Sequence, residues 1–141
     1  MADTKYPRSA YDKVGGIVYF PRMLDKIRLH ADGQLPADYH KNLGQGHDAR
    51  TCRYLHVDYP KVVERVKQGG TDEEILQWCY QQGRALNETE IEIWNGFMTK
   101  RGWNDEMSET LEKYKKDNGL GHRPDIVTGF DFYEVDEKRK P

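Results

Sequence analysis

Residues 87–103 (NETEIEIWNGFMTKRGW) constrain the fold of this chain more than any other stretch, because they spell the start, the buried face and the stop of one helix. Asn87 suits an N-cap, and Glu90 three residues on can return the bond to the cap's own N–H, the reciprocal arrangement of a capping box. Glu88, Glu90 and Glu92 lie at the positive end of the helix dipole, and Lys100 and Arg101 at the negative end. Gly102 stands where a left-handed residue closes a helix, which would fold Trp103 back onto Met98. Gly96 breaks the pattern, since glycine inside a helix costs about 0.5–1 kcal/mol relative to alanine. It is expected to mark a close helix crossing, or room for a ligand beside Trp94 with Asn95 as its hydrogen-bond partner.

Other stretches carry similar signals. Thr71-Asp72-Glu73-Glu74 is a second capping box, opening a helix whose Ile75, Leu76, Cys79 and Tyr80 form an apolar stripe as far as Gly83. Phe20, Leu24 and Ile27 recur at i, i+4, i+7 around Pro21, which suits a first turn. Val62, Val63 and Val66 follow Asp58 as a cap, and Met107, Leu111 and Tyr114 follow Asn104 or Asp105. Short helices are expected over residues 38–43 and 48–56, the second capped by Asp48. Residues 1–14 read as a polar surface arm, and Gly15 and Gly16 as a flexible break. Gly119, Gly121, Pro124 and Gly129 disfavour a long helix near the end, where Phe130 and Phe132 alternate with polar residues, so residues 120–141 are expected to be an extended tail. The predicted fold is all-α: one domain over residues 1–141, a compact bundle of about five to seven short-to-medium helices with an irregular aromatic C-terminal tail.

A chain of 141 residues can bury a core without disulfides or metal. Apolar residues at 36% and charged ones at 33% suit helices with wide solvated faces, and 11% aromatics exclude a disordered composition. A net charge of −2 argues against a general nucleic-acid binder. The charge is uneven, however: residues 5–30 hold six Lys or Arg against two Asp, and residues 71–95 hold six acids against Arg84. The two segments are expected to lie against each other, the basic one also meeting the acidic start of the 87–103 helix. Cys52 and Cys79 alone give no disulfide framework, so reduced thiols in the cytoplasm are expected. The opening MADTKYPRSAYDK lacks the apolar core of a signal peptide, and no apolar run approaches membrane-spanning length, so a soluble protein with no membrane association is expected.

Several blocks resemble an uncharacterised bacterial family, one of the domains of unknown function. They are YPRSAYDKVGGIVYFPRMLDKIR, LPADYHKNLGQGHDARTCRYLHVDY, NETEIEIWNGFMTKRGWND and the closing DIVTGFDFYEVDE, in that order along nearly the whole chain. The resemblance implies a small, single-domain, soluble bacterial protein, and it carries over no activity, cofactor or site residue.

The middle block gathers Tyr39, His40, His47, Asp48, Arg50, Cys52, Arg53 and His56. On a helix Cys52 and His56 would share a face at i, i+4 and could ligate a transition metal with His40 or His47, although no CxxC or HExxH spacing accompanies them. Arg50 and Arg53 at i, i+3 could clamp a carboxylate or phosphate, or supply partners to the acidic helix starts. Cys52, Ser9 and Ser108 show no ordered base and orienter, so no catalytic residue is assigned. Trp78, Trp94 and Trp103 are read as core residues. The leading expectation is a domain that binds a small anionic molecule through Tyr39, His40, Arg50, Arg53, Trp94, Asn95 and Arg101, with no cofactor. The alternatives are a protein-interaction module without a ligand and a metal-dependent enzyme on His40, His47, Cys52 and His56.

Overall fold

The computed structural model describes residues 4–141, so the first three residues of the expected N-terminal arm lie outside it. A two-stranded hairpin, β1 (Lys13–Val14) and β2 (Ile17–Val18), precedes seven α-helices among the described residues. These are α1 (Phe20–Ala31), α2 (Gly46–Leu55), α3 (Tyr59–Lys67), α4 (Asp72–Gln82), α5 (Glu88–Lys100), α6 (Ser108–Asp117) and α7 (Gly129–Asp136), with a short 3-10 helix at Ala37–Asn42. No helix among the described residues is long and apolar enough to cross a membrane. The helical fold read from the sequence is the one observed.

The helix α1 is the hub. Phe20, Met23, Leu24 and Ile27 are buried together with Leu55, Val62, Ile75, Leu76 and Met98, and each full burial stabilises the fold by roughly 1.5–3 kcal/mol. The chain enters α1 through Tyr19, a non-glycine residue at φ 75°, which turns the hairpin into the helix. The expected surface arm is partly interior over its described part: Ala10 and Val14 belong to the core. Gly15 and Gly16, at φ 57° and 83°, are the two left-handed central residues that a tight hairpin turn demands. A Cβ on Gly15 would come within 2.5 Å of Leu76 Cδ2, so the turn rests on α4 and is not a flexible break.

Both capping boxes form. Thr71 Oγ1 accepts from Glu74 N–H at 3.1 Å, and Asn87 Oδ1 accepts from Glu90 N–H at 2.9 Å. The helix α5 ends as expected at Gly102 (φ 102°), but Trp103 is 55% exposed and is not a core residue. Arg8 and Arg28 both donate to Asp72, at 2.6 and 2.7 Å, so the basic N-terminal segment meets the start of α4. Among the described residues its cations form no ion pair with the acidic start of α5, where Glu90 is taken by Arg84 of the preceding loop.

Two expectations fail for a shared reason, the burial of polar or aromatic groups on several sides of a helix. Asp48 does not cap α2: the helix begins at Gly46, and Asp48 is wholly buried inside its first turn. The tail is not extended at its aromatic stretch. Thr128 Oγ1 caps α7 by accepting from Asp131 N–H at 3.1 Å. Phe130 enters the main core, and Phe132 enters a second small cluster with Leu111 and Ile126. A helix buried on two sides shows apolar residues two apart, which mimics the alternation of a strand.

Candidate ligand cleft

The helix α1 buries two cations one turn apart, Arg22 and Lys26, and each is matched by a carboxylate from elsewhere in the chain. Arg22 Nη1 and Nη2 donate to Glu137 Oε1 and Oε2 at 2.8 and 2.6 Å, and its guanidinium lies 4.4 Å from the centre of the Tyr133 ring. Tyr39 in the 3-10 helix donates its hydroxyl to Glu137 Oε2 at 2.5 Å. Lys26 Nζ donates to both oxygens of Asp48, at 3.1 and 3.0 Å, and Asp48 also accepts from the Tyr19 hydroxyl at 2.7 Å. Burial alone would raise the Glu137 carboxyl, but the Arg22 guanidinium reverses this and holds it below the ordinary range. Burial lowers the Lys26 ammonium, against the opposing pull of Asp48. Burial also pushes the Tyr133 phenol up to about 12. A cluster of displaced titrating groups beside a concavity is the ordinary signature of a functional site.

The concavity is a cleft of about 420 Å³ between α1, the 3-10 helix, α6 and α7. Arg22, Lys26, Tyr39, Tyr114, Phe132 and Tyr133 line it, and Asp38, Lys41, Lys113, Asp117 and Asp136 supply its exposed charges. Lys113 is bonded to Asp117 at 2.9 Å. Among the described residues, Asp38 and Asp136 have no cation or donor within bonding distance of their carboxylates. Burial raises the Asp136 carboxyl, and Glu137 and Asp38 push it further. The buried cations of the cleft are thus saturated from within, and among its exposed charges Asp38, Asp136 and Lys41 have no partner among the described residues, two negative charges against one positive.

The residues singled out by sequence occupy separate places. Tyr39 is in the cleft. The His40 ring Nε2 lies 3.0 Å from Leu35 O, with the ring edge-on to His30. Arg50 lies over the Phe97 ring at 5.0 Å. Arg53 is exposed and lines a separate shallow groove with Cys52 and Tyr59. Trp94 and Asn95 bolt α5 to the hairpin: Trp94 Nε1 donates to Val18 O at 3.1 Å, Asn95 Oδ1 accepts from Val18 N–H at 3.0 Å, and Asn95 Nδ2 donates to Gly16 O at 2.8 Å. Arg101 is buried, donates to Glu106 at 2.6 Å, and its backbone carbonyl accepts from Gly129 N–H. Gly96 faces open space, so it marks neither a helix crossing within the chain nor a pocket beside Trp94.

The metal alternative gains no geometry. Among the described residues, no three His, Cys, Asp or Glu side chains are grouped as a metal would require. His56 is an exposed left-handed residue closing α2. His47 is buried with Nδ1 3.1 Å from the Tyr133 hydroxyl, and burial, with Arg101 adding to it, lowers its imidazole to about 4. Burial pushes the Cys52 thiol up to about 12, which makes it a packing residue at neutral pH.

Sequence reasoning counted Arg22 and Lys26 only among the charges of a basic segment, and gave Asp38, Asp136 and Glu137 no role in a site. One signal was present: Arg22 and Lys26 stand at i, i+4 in a helix whose Phe20, Met23, Leu24 and Ile27 already fill an apolar face, which forces part of the charged side inward.

A comparison with curated proteins gives no match. The model of a family described as a domain of unknown function, DUF5069, matches residues 4–139, and the chain belongs to that family.

Proposed function

We propose that the protein binds a small polar molecule carrying a protonated amine, in the cleft between α1, the 3-10 helix, α6 and α7. The observation that carries this reading is the pair Asp38 and Asp136, both lining the cleft and both without a cation among the described residues, against the single unpaired cation Lys41. Tyr114 and Tyr133 present aromatic surface in the same cleft, and such faces also attract an ammonium group. The sign is the reverse of the anionic ligand expected from Arg50, Arg53 and Arg101, because those arginines stand outside this cleft and the arginine and lysine at its base already hold carboxylates.

A thermal-shift screen tests it, since a ligand that binds only the folded form raises the melting temperature by mass action. Amines and amino acids should raise it, and Asp136→Asn should remove the rise while the free variant melts close to wild type. A rise with phosphates or carboxylates and none with amines overturns the reading. So does a rise with magnesium or calcium alone.

A further inference from the structure

The outer face of α5 is open to solvent at Ile93 and Gly96, while the guanidinium groups of Arg50 and Arg101 lie against its Phe97 ring at 5.0 and 5.1 Å. Thr89, Glu92, Gly96 and Lys100 recur at helical spacing on the side opposite the buried Trp94 and Met98, with Ile93 and Phe97 along one edge of that face. Ile93 is 59% exposed and Phe97 38%, two large apolar side chains side by side at i, i+4. Next to them, a Cβ on Gly96 would meet no atom within 4 Å. No contact among the described residues therefore explains a glycine in the middle of the helix, whereas a helix from outside could approach the bare backbone closely. The face is also charged in opposite senses along its length, with Glu88 and Glu92 in the first half and Lys100 at the end. A parallel copy of the helix would set like charges together. An antiparallel copy crossing at Gly96 sets Glu92 of each chain opposite Lys100 of the other, and packs Ile93 and Phe97 out of water.

We propose that this face binds a second copy of the same chain, forming a two-fold symmetric dimer in which the α5 helices run antiparallel and cross at Gly96. A self-complementary patch of this kind closes on itself at two copies and does not propagate.

Sedimentation equilibrium over a range of concentrations tests the proposal. The wild type should approach twice its 16.5 kDa monomer mass as concentration rises. Phe97→Glu should stay monomeric with an unchanged circular dichroism spectrum. Glu92→Lys repeats a like-charge contact twice in the dimer and should weaken association by about tenfold or more. Adding Lys100→Glu to Glu92→Lys should restore it. Gly96→Ala gives a signature that no folding defect can copy: a raised melting temperature at low concentration, together with weaker dimerisation. A wild-type chain that stays monomeric at millimolar concentration overturns the proposal, as does a dimer indifferent to Glu92→Lys and Gly96→Ala.

Discussion

The carboxylate of Glu137 grips the guanidinium of Arg22 with two parallel hydrogen bonds of 2.8 and 2.6 Å, across 115 residues of sequence and with both side chains nearly out of water. This bidentate pair fixes α7 against α1, and it neutralises the cation at the base of the cleft. Structure and charge in the cleft therefore depend on the same contact.

Removing one partner should be far worse than removing both. Glu137→Ala leaves a buried guanidinium uncompensated and should cost about 3–5 kcal/mol in urea unfolding. The double variant Arg22→Met with Glu137→Leu should lose much less than the sum of the two single changes, a coupling that a double-mutant cycle measures directly. If the two changes are additive, the pair does not interact as the geometry requires.

The histidine buried beside Tyr133 sets a pH limit on stability. His47 has a folded value of about 4 against an ordinary value of 6.5, so the unfolded chain binds the extra proton between these two pH values. Its contribution is fully present above pH 6.5, falls as the pH drops through that window, and is exhausted below about 4. At roughly 1.4 kcal/mol per pH unit of displacement, the loss amounts to a few kcal/mol at most. Denaturation midpoints measured between pH 4 and 7 should fall in the wild type and flatten in His47→Phe.

Asn95 should behave as a structural residue. Its amide satisfies one backbone N–H and one backbone carbonyl of the hairpin turn, at 3.0 and 2.8 Å. Asn95→Ala strips both partners and should cost about 1–3 kcal/mol. Amide exchange at Val18 should quicken by a corresponding factor, and any ligand-induced rise in melting temperature should survive in proportion.

A glycine contact supplies an independent check on how α2 meets the loop after α4. A Cβ on Gly83 would lie 1.9 Å from Leu55 O, a backbone atom that cannot step aside. Gly83→Ala should therefore destabilise by about 1–3 kcal/mol or more through overpacking. Gly46→Ala, at a position where a Cβ would meet nothing, should show only the smaller strain of its positive φ.

The parts of this molecule that were legible in the sequence are those governed by neighbours in the chain. Thr71 with Glu74 and Asn87 with Glu90 form their boxes because each box needs only four consecutive residues. The apolar stripe of α1 and the closing Gly102 were legible for the same reason. What escaped depends on distant partners. Asp48 looks like any cap until Lys26 and Tyr19 arrive from α1 and the hairpin end. Phe130 and Phe132 read as part of an extended tail because their two separate destinations lie outside their own segment. The set of His, Arg and Tyr proposed as one site scattered because residues close in sequence on a short helix point in different directions. The residues that do converge, Tyr39 and Glu137, stand 98 apart.

The way the two ends of the fold interlock has a consequence for synthesis. Ser9 donates to Glu134 at 2.7 Å, Tyr11 to Asp131 at 2.9 Å, and Arg22 to Glu137, while Phe130 fills space among the first residues of the core. A nascent chain carries α1 into the open long before its counter-ion and its last aromatic neighbour have left the ribosome. Without Glu137, docking that face of α1 would bury an unpaired guanidinium. A core that takes Phe130 and the counter-ion of Arg22 from α7 is complete only once α7 is available.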